Sequence, residues 1–135
     1  MAEESFEVPI HSDKDILVAR SRGRALAAEL GFSSSDLALI ATTISELARN
    51  IVRYARTGLI AVEAIGNSDH RRGVSIVARD TGPGIADVRK ALQDGFSTSG
   101  GLGLGLPGVR RLMDDFEIIS EVGQGTTVTV RKWRR

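Results

Sequence analysis

Apolar positions recur in two rhythms along the chain, and the switches between them mark out the elements. Phe6, Val8 and Ile10 alternate with polar neighbours, which predicts a short strand over Ser5–Ile10. Pro9 has no N–H to give to a ladder, so this strand is expected at a sheet edge. From Asp13 the spacing lengthens through Ile16, Leu17, Ala19, Leu26 and Leu30, a helical pattern that Gly31 ends. Ser33-Ser34-Ser35-Asp36 offers N-caps for a second helix, which should bury Leu37, Ile40, Ile44, Leu47, Ile51 and Ala55. Gly58 opens a strand over 59–65, the cluster Gly66-Asn67-Ser68-Asp69 reads as a turn, and a further strand runs from about Gly73 to Asp80. A short helix is expected at 85–92, a loop at 93–101 and a helix from about Gly103 to Asp114. Strands over 116–122 and 126–133 then flank the turn Gly123-Gln124-Gly125.

The order β-α-α-β-β-α-α-β-β joins its last four strands as hairpins. It fits an α+β layered sandwich better than a parallel doubly wound sheet. With 135 residues, no internal repeat and no linker-like stretch, the chain is read as one domain over 1–135. Charged residues at 26% and hydrophobic residues at 41% are those of a soluble globular domain. The net charge of +1 gives no global electrostatic case for nucleic acid. The basic tip Arg131-Lys132-Trp133-Arg134-Arg135 reads as a solvated strand end rather than a binding patch. There is no cysteine, so neither a disulfide nor a thiolate metal site is possible. His11 and His70 fall in turns without ligand-spaced partners. No apolar run approaches the ~20 residues of a membrane span. The acidic start Met1-Ala2-Glu3-Glu4-Ser5 is unlike a signal peptide, and the cytoplasm is the expected location.

Several residues carry candidate chemistry, each with a plainer reading beside it. Thr42, Glu46, Asn50 and Arg53 form a polar stripe on the second helix, opposite Ile44 and Leu47. Such a stripe is either a solvated face or a surface that a ligand covers. In the second case Glu46 could take a proton and Asn50 could offer a carbonyl oxygen to Mg2+. Asp80 shares strand parity with Val74, Ile76 and Ala78, so it points to the apolar face. There it either meets an exocyclic amino group such as adenine's or bonds its own backbone in the turn Thr81-Gly82-Pro83-Gly84. Thr126 shares parity with Val128 and Val130 and could approach the same pocket, or could simply favour a strand. Gly82 and Gly84 allow a close approach to a flat ring or a plain turn. Gly100, Gly101, Gly103 and Gly105 precede a helix whose free N–H groups would suit phosphates, or belong to a surface loop. Gly103-Leu104-Gly105-Leu106-Pro107-Gly108 spells the dinucleotide fingerprint, but a loop rather than a strand precedes it. No Walker A Gly-Lys-Ser/Thr occurs.

In order and spacing, the Glu46/Asn50 helix, Asp80-x-Gly82-x-Gly84 and Gly101-x-Gly103-x-Gly105 resemble the three boxes of the GHKL ATPase/kinase superfamily. The resemblance covers nearly the whole chain. It implies the Bergerat ATP-binding fold, a two-layer α/β sandwich with a mixed, largely antiparallel sheet. The segments 44–51, 94–102 and 106–114 further resemble the RsbT-type switch kinases. These are serine/threonine kinases of the stressosome, related to the anti-sigma factor kinases. In that group the kinase phosphorylates STAS-domain scaffold or antagonist proteins, is released, and activates a downstream phosphatase-type regulator by binding it. The resemblance implies ATP and Mg2+ as cofactors, with no nucleic acid or membrane partner. Glu46 is implied as the general base and Asn50 as the Mg2+ ligand. Asp80, with Thr126 nearby, would meet the adenine amino group, and Gly82 and Gly84 would line its pocket. Gly101, Gly103 and Gly105, with Leu102 and Leu104 between them, would hold phosphates. Phe96, Ser97, Thr98, Ser99 and Gly100 would form the ATP lid. No lysine or arginine lies between Ala91 and Val109, so a counter-charge for the γ-phosphate must come from elsewhere; Arg49 and Arg53 qualify by position.

Other members of the superfamily add helical dimerisation or transducer domains for which this length leaves no room, so a stand-alone kinase is expected. Two alternatives remain. One is an anti-sigma factor kinase that sequesters a sigma factor and phosphorylates its antagonist. The other is a binding module gated by nucleotide, against which the presence of Glu46 argues, because binding alone needs no base.

Overall fold

A computed structural model describes residues 4–68, 71–92 and 105–135. The strands are β1 (Ser5–Ile10), β2 (Gly58–Ser68), β3 (Arg71–Asp80), β4 (Asp115–Glu121) and β5 (Gly125–Trp133). The helices are α1 (Asp13–Glu29), α2 (Ser34–Asn50), α3 (Val88–Ala91) and α4 (Gly105–Leu112), and α2 runs on into a π-helical turn over Ile51–Ala55. The sheet order is β1-β2-β3-β5-β4. Every neighbouring pair is antiparallel, so the mixed sheet implied by the resemblance is antiparallel throughout. Between β1 and β2 the chain passes through two helices, α1 and α2, which return it to the end it left and reverse the next strand. Between β3 and β4 the crossover leaves both strands pointing the same way, but β5 is inserted between them. Pro9 lies on the edge strand β1, where its missing N–H costs no ladder bond.

One face of the sheet meets the helices. Phe6, Val8, Ile10, Ile60, Val62, Val74, Ile76, Val128 and Val130 point from the strands into one core with Ile16, Leu26, Ile40, Ile44 and Leu47 from α1 and α2. Two sequence devices fix the helix pair. The Asp15 carboxylate accepts the N–H groups of His11 (2.8 Å) and Ser12 (3.2 Å) at the start of α1, and Ser33 Oγ accepts the Asp36 N–H (3.2 Å) at the start of α2. Gly23 lies in the middle of α1, where glycine costs about 1 kcal/mol against alanine. A Cβ there would collide with Ile44 Cδ1, so the glycine lets α1 and α2 cross closely.

The basic C-terminal tip is a strand end more tied to the domain than expected, with Arg135 still exposed. Lys132 is buried, and its Nζ donates to the Leu112 carbonyl (2.9 Å). Arg134 Nη1 donates to the Leu30 carbonyl (3.1 Å), and Arg135 pairs with Asp114 (2.6 Å). Burial pushes the Asp114 carboxyl up, but the Trp133 N–H and the Arg135 guanidinium, with the charges of Lys132 and Arg135, outweigh it and hold it below the usual 3.8.

The predicted elements recur in order, with altered ends. Gly66–Ser68 extend β2 instead of forming a turn. A register shift between Ile65 and Ser68 absorbs the positive φ of Gly66 (+92°) as a bulge. The helix expected over 85–92 shrinks to Val88–Ala91, with Asp87 as its N-cap accepting the Lys90 N–H (3.0 Å), while the Ile85 N–H is taken by Ser120 Oγ (2.7 Å). His11 is exposed in a bend; His70 lies outside the described residues.

Candidate active site

A cavity of about 570 Å³ opens between the C-terminal part of α2 and the ends of β3 and β5. That volume falls within the range of small-molecule sites. Leu47, Ile51, Ala55, Ala78, Ile85 and Val128 give it apolar walls, and Asn50, Asp80, Asp87, Lys90 and Thr126 give it polar groups.

Asp80 ends β3 on the core-facing side, as its parity with Val74, Ile76 and Ala78 requires. The turn reading of this residue holds. Its Oδ1 accepts the Gly82 N–H (2.9 Å), closing the turn, and also the Thr126 N–H (3.3 Å) from the facing residue of β5. The side chain still lines the cavity, and Oδ2 has no hydrogen bond among the described residues. One oxygen builds the turn, and the other keeps its acceptor capacity in a side chain that lines the cavity.

The chain after Asp80 is fastened to the β4–β5 hairpin. Ser120 Oγ takes the Ile85 N–H (2.7 Å) and bonds Thr126 Oγ1 (2.7 Å), and Gly123 gives its N–H to the Pro83 carbonyl (2.9 Å). Gly84 adopts φ +76°, and a Cβ on it would strike the Glu121 carbonyl, so both conformation and space require glycine. Gly84 lines the cavity. Gly82 does not: it packs behind the wall, where a Cβ would lie 2.6 Å from that of Ala55. Thr126 lines the cavity beside Asp80.

On α2 the expected polar stripe is wrong for one residue. Glu46 is buried, only 5% exposed, because the start of α4 covers it. Its Oε2 accepts the Gly105 N–H (3.4 Å), and its Oε1 accepts from Arg49 Nη1 (2.7 Å). Burying a carboxylate without such partners is costly. Asn50, one turn further on, is half-buried and lines the cavity. Thr43, one turn earlier, is fully buried, and its hydroxyl has no hydrogen-bond partner among the described residues.

Past Asn50 the helix widens to the π-form, and Arg56 ends it at φ +73°. Such turns are frequent at functional sites. Ala55, expected in the core, is instead half-buried on the cavity wall with Tyr54 beside it.

A Mg2+ ion can be tested against these residues. No cluster of three or more acidic or histidine side chains occurs among the described residues, so they form no all-protein cage. One side-chain carbonyl on the cavity wall, that of Asn50, fits an ion carried mainly by phosphates and water.

Ser97, Thr98, Ser99, Gly100, Gly101, Leu102, Gly103 and Leu104 lie outside the described residues. Gly105 is described; it opens α4 with φ +65°. Sequence reasoning missed Lys90, Ser120 and the Arg49–Glu46 pair. Lys90 lies directly before the stretch from Ala91 to Val109 that holds no lysine or arginine. Ser120 was detectable, as a polar residue sharing parity with Phe116 and Ile118. The Arg49–Glu46 pair has only an i, i+3 spacing to announce it, too common a signal alone.

Comparison with known proteins agrees with this geometry. Residues 12–132 match the family model described as a histidine kinase-like ATPase domain. The serine/threonine-protein kinase RsbT of Bacillus subtilis is 53% identical over 128 residues, covering 95% of this chain and 96% of its own. The anti-sigma F factor of Caldanaerobacter subterraneus subsp. tengcongensis is 32% identical over 118 residues, covering 85% of this chain and 82% of its own. Among solved structures, the RsbU and RsbW domains of a Mycobacterium tuberculosis protein superpose with a TM-score of 0.63 at 22% identity. The match spans 98% of this chain but 33% of that one, and carries the fold alone.

Proposed function

The chain belongs to the histidine kinase-like ATPase family, among the relatives of RsbT, and from that premise we propose that it is a serine/threonine kinase using Mg2+-ATP in the cavity between α2 and the strands β3 and β5. One observation carries the reading. Asp80 and Asn50 face one cavity, and Glu46, a single helical turn before Asn50, holds the first N–H of α4 beside it.

Each residue then has a task. Asp80 accepts the adenine amino group through Oδ2, with Thr126 beside it, while Gly82 and Gly84 shape the turn that closes that side. Asn50 holds Mg2+, which neutralises phosphate charge when bound. By the family resemblance Gly101 and Gly103 would offer backbone N–H groups to phosphates and Ser97 to Gly100 would form the lid, whereas the Gly105 N–H expected to join them is held by Glu46. Lys90, on the cavity wall, supplies the cation that the glycine-rich segment lacks. The acceptor hydroxyl oxygen bonds to the γ-phosphorus as the bond to the β–γ bridging oxygen breaks. Glu46 takes the hydroxyl proton, and ADP leaves. Such a reaction needs chiefly positioning and charge neutralisation.

The 53% identity to RsbT over nearly the full length supports a STAS-domain scaffold as the protein substrate and a phosphatase-type regulator as the later binding partner. No helix among the described residues is long and apolar enough to cross a membrane, in keeping with a kinase that meets its partners in the cytoplasm. A second reading draws on the 32% identical anti-sigma F factor: sigma-factor sequestration and phosphorylation of a single-domain antagonist. Transfer from γ-labelled ATP, with both acceptors offered side by side, separates them. Label on the scaffold that disappears with Glu46→Ala, while ATP still binds, is the expected result. Label on the antagonist with sigma-factor binding establishes the second reading. Saturable ATP binding without transfer to either leaves a nucleotide-gated binding module.

A further inference from the structure

We propose that Arg49 is a positioning residue for the Glu46 carboxylate, holding it in the orientation in which it receives the proton of the acceptor hydroxyl. The inference rests on the kinase reading above.

Glu46 has a long side chain in a buried setting, and among the described residues two contacts fix its head. One is the Gly105 N–H on Oε2 at 3.4 Å, near the outer limit of a hydrogen bond and made to a different element. The other is Arg49 Nη1 on Oε1 at 2.7 Å, a charge-assisted bond of full strength. Arg49 stands three residues after Glu46 on the same helix, so the geometry of this contact is set by α2 alone. It survives any shift of α4 that would break the Gly105 bond. A carboxylate oxygen has two acceptor sites, so Oε1 can hold Arg49 and still leave an acceptor for a hydroxyl.

The same geometry argues against Arg49 as the counter-charge of the γ-phosphate. Its guanidinium is bonded to Glu46, and the pair sits beside the cavity rather than on its lining, whereas Lys90 lines it. The Arg49 side chain is 39% exposed and that of Glu46 7%, so arginine lies on the solvent side of the carboxylate.

The experiment compares wild type, Arg49→Met and Arg49→Lys for phosphoryl transfer to the scaffold acceptor and for ATP affinity by calorimetry, with Tm as the folding control. Arg49→Met should lower kcat at least tenfold with ATP affinity within twofold of wild type. Arg49→Lys keeps a cation within reach of Oε1 and should recover most of kcat. If Arg49→Met does not fold, Arg49→Gln, which can still donate to Oε1 but has no charge, takes its place with an intermediate kcat expected. Wild-type kcat in the neutral variants overturns the proposal. So does an ATP affinity tenfold weaker, which would make Arg49 a phosphate contact, or a lowered Tm with unchanged turnover, which would make it purely structural. A wild-type protein that transfers nothing overturns the kinase reading and this proposal with it; a wild type that transfers beside an equally active Arg49→Met overturns this proposal alone.

Discussion

Replacing Asp80 by asparagine separates its two oxygens, because only one of them is used by the fold. The substituted amide would keep an oxygen where Oδ1 accepts the Gly82 N–H at 2.9 Å and the Thr126 N–H at 3.3 Å. The turn and the β3–β5 contact should therefore survive, weakened only by the loss of charge. On the other side, Oδ2 becomes an NH2 donor facing the donor amino group of adenine. The loss is one hydrogen bond to a charged group, about 1.5–3 kcal/mol. At about 1.4 kcal/mol per tenfold, ATP should bind roughly ten- to a hundredfold more weakly. GTP presents an acceptor oxygen where ATP presents the amino group, so the preference of wild type for ATP should narrow. Calorimetric titration with both nucleotides in Mg2+, alongside thermal unfolding, reads all three effects. Asp80→Ala should behave differently, losing the turn and lowering Tm as well. An Asp80→Asn protein that binds ATP within twofold of wild type would refute the adenine contact. A protein that loses ATP only because its Tm collapses would refute the separation of roles.

Lys90→Met should weaken ATP binding several-fold and leave adenosine binding unchanged; equal losses for both ligands would remove Lys90 from the phosphates. Thr43→Val exchanges a fully buried hydroxyl without a partner among the described residues for a methyl of similar shape, and should be neutral or stabilising by up to about 1 kcal/mol in urea unfolding. A clear loss would mean that the hydroxyl is satisfied by a buried water. Asp114 has a depressed carboxyl, so its stabilisation is present above the ordinary value of 3.8 and lost as pH falls through the lower folded value. Asp114→Asn should therefore lower Tm at neutral pH, and the gap to wild type should shrink below about pH 4; a gap independent of pH would mean that charge is not the cause.

The order of elements was legible because each segment carries a clean period and its own stop signal, as with Gly31 after α1 and Ser33 before α2. Asp80 was legible because strand parity settles which face a residue takes. Periodicity on one helix could not reveal that α4 covers Glu46, because burial of a polar residue depends on what packs across from it. The Arg49–Glu46 contact lies within α2, but an i, i+3 spacing is too common to single it out. The turn expected from Gly66 gives way to strand through Ser68: a glycine at positive φ serves a bulge as well as a turn, and only the partner strand decides. Ala55 was assigned to the core by extending an ordinary helical spacing past Asn50, and that spacing does not hold there.

The widened turn over Ile51–Ala55 has a consequence for chain length. An α-helix advances about 100° per residue, so a single extra residue re-aims everything that follows. In this chain the extra residue is absorbed within one turn, between Asn50 at the cavity and Gly58 at the start of β2. Tyr54 and Ala55 thereby reach the cavity wall while the strand register downstream is undisturbed. Insertions and deletions are usually confined to loops, yet here a gain or loss of one residue inside a helix would alter the shape of the cavity and spare the sheet. Along this lineage, a one-residue length difference between Asn50 and Gly58 would therefore mark a change in what the pocket accepts.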